Sequence, residues 1–426
     1  MVDYRKIMQI ALPAMAENFL QMFMGVVDSY LVASLGLVAI SGVSVAGNII
    51  TVYQAVFIAL GAAISSILAR SMGAGDKELQ AYHATEALKI TLFLSLVLGV
   101  VSLFSGQYIL CALGTELAVA ETGGLFLAIV GGTIVLLGLM TSLGALVRTT
   151  GNPRLPMYVS FLTNLLNAVF SSFFIFSLHW GIIGVALGTV LARLVGVVVL
   201  WQSLSIPFAN PSWGMDKNLL RLSLPVAGER LMMRVGDVVL LALVVGFGTE
   251  AVAGNAIGEV LTQFNYMPVF GIATATVLLV AHRLGQKNSD EIDQIVRKTY
   301  WLAFGLMLLV ALLVAVFGRP LTHLYTHDER AMAASLLVIL FSLLGVPFTV
   351  GTVIYTAVWQ GLGNGKLPFY ATTIGMWVIR IGLGYLLSMP LGLGLSGIWL
   401  GTLLDNAFRW LFLRSLYKRY KTKAVC

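Results

Sequence analysis

Four side chains in the opening apolar run, Glu17, Gln21, Met24 and Asp28, have types and spacing that could do chemistry. Their steps of four, three and four put them on one face of a helix, so an acid, an amide, a thioether and a second acid form one stripe. An ionised carboxylate in hydrocarbon costs roughly 3 to more than 10 kcal/mol. A chain keeps such a residue where it faces protein, water or a substrate. A carboxyl that gains and loses a proton at that depth can couple proton uptake to a conformational change or to release of a cation. Pro13 interrupts the hydrogen bonding of the same run and gives it a place to bend. The bland alternative for Asp28 is a structural acid that ties helices together.

Further polar groups fall on later apolar runs. Asn164, Asn167 and Ser171 form a stripe on the fifth, and Thr189 lies about eight residues into the sixth. Gln54 and Thr51 sit on the second. Such groups either bond helices to one another or line a cavity, and both readings stand at this point. In the second half, Asp237 and Glu259 are candidates for a cation site. Against that, Asp237 lies three residues from Arg234 and could pair with it. Arg193 and Arg380 are charges within apolar runs and have no evident partner in the sequence. Of the sixteen methionines, Met24 is the one we assign to a pocket, because flexible polarisable side chains suit varied ligands.

The elements that must position these residues follow from composition. The 426 residues are 58% hydrophobic and 11% charged, against about 25% charged in a soluble domain. The chain reads as an all-α polytopic membrane protein. Runs of roughly 20 residues or more fall at about 7–35, 40–72, 84–112, 118–147, 155–178, 181–204, 217–247, 251–284, 294–318, 330–361, 368–389 and 392–417, twelve spans in all. Lys and Arg fall between alternate runs, which predicts a multi-pass protein of the cell membrane with both termini cytoplasmic. The net charge of +7 is spread over these loops and is not a nucleic-acid-binding patch. Two cysteines, Cys111 and Cys426, offer neither a disulfide framework nor a metal site. There is no Walker loop, no HExxH and no GxSxG, and the five histidines are scattered. The expectation is a protein that is not an enzyme, has no cofactor and draws on an ion gradient.

The chain also repeats itself. A shift of 212 residues lays Leu12-Pro13 on Leu224-Pro225, Glu17 on Glu229, Gly36 on Gly248 and Gly151-Asn152 on Gly363-Asn364. A shift of 213 lays Gly181, Gly184 and Gly188-Thr189 on Gly394, Gly397 and Gly401-Thr402. Six spans per repeat is an even number, so the two bundles enter the membrane alike and should relate by a pseudo-two-fold axis along its normal. The expected layout is an N-terminal six-helix lobe over residues 1–204 and a cytoplasmic linker over 205–216, with Pro207, Asn210, Pro211 and Gly214 in or near it. A C-terminal six-helix lobe over 217–426 completes it. The partner of Asp28 at the 212 shift is Leu240, so the acid belongs to the first half alone.

With twelve spans, two repeats, the run VVDSYLVASLG followed by GVSVAGN, and the elements GNPRLP and GNGKLP, the sequence resembles the MATE (multidrug and toxic compound extrusion) family. It is most similar to the DinF-type branch. That resemblance implies an alternating-access drug exporter with a first-helix proton site, at Asp28, and polar partners on the fifth helix, at Asn164 or Asn167, and on the sixth, at Thr189. A second acid that some relatives carry on the fifth helix is missing between Pro153 and Leu178. The sodium site of the NorM-type branch uses an acid on the tenth helix, and residues 331–360 hold no Asp or Glu. The expectation is therefore H+ coupling through Asp28 in preference to Na+, with Gln21, Met24, Gln54, Asn164, Asn167 and Thr189 lining the cavity. Partners would be small lipophilic or cationic drugs and the lipid bilayer, acting on a monomer. A lipid-linked precursor flippase is the alternative transporter, and a channel or scaffold the alternative class.

Overall fold

The fold is described from a computed structural model, which covers residues 3–209, 214 and 216–425. Asn210 and Pro211 of the expected linker, and Cys426, lie outside the described residues. The described chain is helical throughout, in twelve long segments: α1 Tyr4–Ala33, α2 Leu37–Ala74, α3 Lys77–Ala112, α4 Leu117–Gly131 continued by Val135–Thr149, α5 Leu155–Ser177, α6 Gly181–Gln202, α7 Lys217–Val245, α8 Thr249–Gly285, α9 Ser289–Val316, α10 Glu329–Gly361, α11 Lys366–Ser388 and α12 Leu395–Val425. Among the described residues nine of these are long and apolar enough to cross a bilayer by themselves, and the two pieces of α4, bent by 43°, make a tenth. The other two, α7 and α12, carry six and seven charged residues, which lower their apolar character.

Local sequence explains where the helices stop. Asp76, Asn288 and Asp328 cap α3, α9 and α10 by accepting from Leu79 N, Glu291 N and Ala331 N. Three of the glycine pairs that matched between the repeats, Gly36/Gly248, Gly151/Gly363 and Gly181/Gly394, sit where φ is positive. Gly36 and Gly248 have φ of 102° and 98°, and Gly181 and Gly394 have φ of 54° each, angles at which a side chain would be strained. Pro13, Pro225, Pro268 and Pro347 all lie inside helices. Three helices carry π-helical stretches, Leu127–Gly131 in α4, Phe173–Ser177 in α5 and Gly375–Leu383 in α11.

Packing divides the chain into two units. One contains Ala16–Ser223. The other contains Leu224 onward together with the residues up to Met15. Ile7 and Ala11 of α1 are fully buried in the core built by α8, α9, α10 and α12. A Cβ on Gly271 of α8 would meet Ala11 O at 2.7 Å and the Met15 side chain. So α1 begins in the core of one unit and continues into the other, with Pro13 in the stretch before the change.

In the unit Ala16–Ser223 the core centres on Phe57, Leu110, Leu127, Ile134 and Ala186. The segment after α6 is held on the start of α3. Ala209 N donates to Thr85 Oγ1 at 2.9 Å, Asp216 N donates to Glu86 at 3.0 Å, and His83 Nδ1 lies 3.0 Å from Asp216 Oδ2. Lys89 bridges Glu86 and the Gly214 carbonyl. Phe208 stacks on Trp201. The expected linker is therefore an ordered strap on α3 wherever it is described.

Candidate functional site

The sequence-predicted residues of α1, α2, α5 and α6 converge. Asn167, on the buried face of α5, is the hub. The Ser171 hydroxyl lies 3.1 Å from its Oδ1 and donates to it, and the Thr189 hydroxyl, 3.2 Å from the same oxygen, shares its proton with the Val185 carbonyl at 3.0 Å. With its oxygen taken, the amide must point its NH2 the other way, and Nδ2 donates to Asp28 Oδ1 at 2.8 Å. Nδ2 also lies 3.8 Å from Met24 Sδ. One turn earlier on α5, Asn164 Nδ2 donates to the Leu20 carbonyl at 2.9 Å, fixing α1 against α5 through a backbone group. Across α1, Gln54 Nε2 of α2 lies 3.5 Å from Gln21 Oε1.

The chemistry of that hub follows from its donors and acceptors. Asn167 offers Asp28 a neutral N–H, which both a carboxylate oxygen and the carbonyl oxygen of a carboxylic acid accept, the carboxylate more strongly. The second carboxyl oxygen of Asp28 is left to carry a proton. Asp28 is partly buried rather than sealed, so a proton or a ligand can reach it. The acid can therefore change protonation state without breaking the bond that positions it. Asp28 lies five residues before the end of α1 at Ala33, about 8 Å along the axis at 1.5 Å per residue.

Close packing fixes the hub. Cβ atoms placed on Gly184 and Gly188 of α6 would strike Phe174 and Ser171 of α5. These glycines let α5 and α6 approach until Thr189 reaches Asn167. The same seam recurs in the second half, where a Cβ on Gly397 would lie 2.6 Å from Ser388 N and one on Gly401 2.9 Å from Gly384 Cα.

The second-half candidates fare differently. Asp237 is 49% exposed and meets Arg380 Nη1 of α11 at 3.9 Å. Among the described residues it forms no ion pair with Arg234 of its own helix, the pairing expected from their spacing. Glu259 Oε1 accepts from Asn255 Nδ2 at 3.1 Å, and Asn255 Oδ1 accepts from Trp399 Nε1 at 2.9 Å. Both acids have a protein partner, and among the described residues no group of three His, Cys, Asp or Glu side chains could hold a metal ion.

Sequence reasoning missed the centre of the second-half cluster. Asp405 of α12 is 0% exposed. It holds Arg380 Nη2 at 2.8 Å and Arg409 Nε at 2.9 Å. Arg409 Nη1 also lies 3.4 Å from Thr372 Oγ1, and Thr372 donates to Glu229 Oε1 at 3.1 Å. The i, i+4 spacing of Asp405 and Arg409 was the available signal. Sequence reasoning also left Glu17 without a partner. It pairs with Arg148 of α4, while its repeat-mate Glu229 has Thr372 and Gln360. Arg193 of α6 lies four residues from Thr189, and its Nη1 is buried with no hydrogen-bond partner among the described residues.

Comparison with known proteins meets this geometry. The MatE family model matches the chain twice, over residues 13–173 and 225–386. The two matches start 212 residues apart, the internal repeat again. A probable multidrug resistance protein NorM from Thermotoga maritima is 27% identical over 95% of this chain and 90% of its own length. An uncharacterized transporter, YisQ, from Bacillus subtilis is 25% identical over 96% and 92%. Among solved structures, a crystal structure of MATE in the bent conformation superimposes with a TM-score of 0.92, covering 99% of this chain and 97% of that one at 22% identity. A double family match over both repeats, with relatives and a fold aligned along nearly the whole chain, makes this protein a multi-pass membrane transporter of the MatE family.

Proposed function

We propose that the protein is a secondary-active exporter of amphipathic or cationic organic compounds, driven by protons through Asp28. Relatives named as multidrug resistance proteins support the efflux reading. The observation that carries the coupling is the Asp28–Asn167 bond, in which a partly buried acid is positioned by a neutral amide and keeps one oxygen free. Gln21, Met24 and Gln54 line the path beside it with one thioether and two amides, groups that accept varied ligands without demanding one geometry. In this reading both termini are cytoplasmic, by the distribution of Lys and Arg, and Asp28 lies toward the outer face.

In the cycle, ionised Asp28 holds a cationic or amphipathic substrate taken from the inner side. Protonation from outside cancels the charge, substrate leaves, and loss of the proton to the inside resets the site. The hinge at Pro13 gives α1 a means of following that change. Na+ as the driving ion has less support, because α10 carries no acid between residues 331 and 360. Purified protein in liposomes, loaded with a fluorescent lipophilic cation and given either a proton or a sodium gradient, tests this directly. Export driven by the proton gradient alone is expected. Export driven by sodium, or export by Asp28→Asn equal to the parent's, contradicts the proposal.

A further inference from the structure

We propose that Arg193 is the counter-charge of Asp28, and that proton uptake drives the cycle by leaving this arginine without one. The inference rests on Asp28 being the proton site. Arg193 lies one helical turn from Thr189 on α6, the same face that reaches Asn167 and, through it, Asp28. A guanidinium keeps its charge at every physiological pH. Its Nη1 is buried and has no hydrogen-bond partner among the described residues, so that nitrogen is left unsatisfied.

The other charges around Asp28 are accounted for helix by helix. On α1, Glu17 is taken by Arg148 of α4. On α2 the one charged residue is Arg70, near its far end. The helix α5 has no Asp, Glu, Lys or Arg, and α6 has Arg193 alone. The start of α3 spends Glu86 and Lys89 on the strap, and Glu121 of α4, which packs on α6, is exposed. The titratable hydroxyls are exposed at Tyr30 and Tyr158, and Tyr53 is bonded to Ser102. Asp28 is thus the carboxylate that remains for Arg193. The repeat supports the pairing from inside the chain. At the 212 shift of the first helix Asp28 falls on Leu240, and at the 213 shift of the sixth Arg193 falls on Asn406, so the second half lacks both members at these places.

While Asp28 is ionised and holds no substrate, the pair is neutral and suits a low-dielectric site. When Asp28 takes a proton, Arg193 becomes an isolated cation in the membrane, which is strongly unfavourable. Any arrangement that brings water to Nη1 is then favoured. Arg193 acts here as a positioning residue, through Asp28.

The experiment measures the pH dependence of dye export by the full chain in proteoliposomes for the parent, Arg193→Gln, Arg193→Lys and Asp28→Asn. Removing the positive charge makes Asp28 easier to protonate. Arg193→Gln is expected to move half-maximal export upward by about one pH unit or more, and Arg193→Lys to restore the parent's midpoint. An unchanged midpoint in Arg193→Gln, with Asp28→Asn inactive, overturns this proposal and leaves the proton site standing. A parent-like profile in Asp28→Asn overturns the proton site itself. If Arg193→Gln does not fold, the double variant Asp28→Asn/Arg193→Gln is expected to fold, since no charge is then left alone. Failure of the double variant as well overturns the pairing.

Discussion

The two halves of this chain place an acid against polar groups in opposite ways. In the first half, Asp28 on α1 is partly buried and held by the neutral amide of Asn167. In the second half, Asp405 on α12 is fully buried between two guanidinium groups, Arg380 and Arg409. At the 213 shift Asn167 corresponds to Arg380 and Asp405 corresponds to Ala192, so one six-helix plan carries two different electrostatic designs. An acid clamped by two arginines works as structure, because both of its oxygens are taken by fixed cations. An acid positioned by an amide keeps both protonation states within reach. Coupling chemistry fits the first half, and the second half supplies a rigid charged core.

The largest expected effect comes from breaking the second-half clamp. Asp405→Ala leaves two buried guanidinium groups without their carboxylate, a loss of about 3–5 kcal/mol, read as a lowered thermal midpoint in detergent. Asp28→Asn is expected to lower it far less while abolishing proton-driven export. Similar stability losses in both variants would erase the distinction between the halves.

Next is the hub. Asn167→Ala removes the donor to Asp28 and the acceptor of two hydroxyls, about 1–3 kcal/mol of positioning, expected as a ten- to hundredfold loss of export rate in a proteoliposome assay. The equivalent position Arg380→Ala should instead act on folding yield. Close packing comes third. Gly188→Val and Gly401→Val each force apart a helix pair that meets through glycine, at about 1–3 kcal/mol each. Their midpoints should fall together, because the seam is common to both repeats, but Gly188→Val should also slow export by moving Thr189 from Asn167. The smallest effect is the surface control. Lys421 and Asp293 are 52% and 48% exposed at 3.0 Å, and Lys421→Ala should change stability by less than about 0.5 kcal/mol.

Much of the first-half site was legible because it depends on local periodicity. The i, i+3, i+4 stripes of α1 and α5 put Met24, Asp28 and Asn167 on faces that meet, and the repeat singled out Asp28 as the acid the second half lacks. The glycine matches at Gly36/Gly248 and Gly181/Gly394 were legible too, since positive φ forces the residue type. What stayed hidden depends on packing between distant segments. Arg380 finds Asp405 only because Gly375 lets α11 close on α12, where an added Cβ would meet the Asp405 carboxylate and Arg409. Glu17 finds Arg148 across 131 residues. No periodicity reports that the first turns of α1 join the core of α8, α9, α10 and α12, because both cores present the same apolar surface to a helix.

The most direct test of the division between the halves is proton flux measured during export. Protein in liposomes containing a pH-sensitive dye is given a concentration gradient of a lipophilic cation and no proton gradient. The parent should move protons against the cation, and Asp28→Asn should move none, while Asp237→Asn in the second half should match the parent. Proton movement by Asp28→Asn at the parent's rate, or its loss in Asp237→Asn, would contradict the assignment of coupling to the first half.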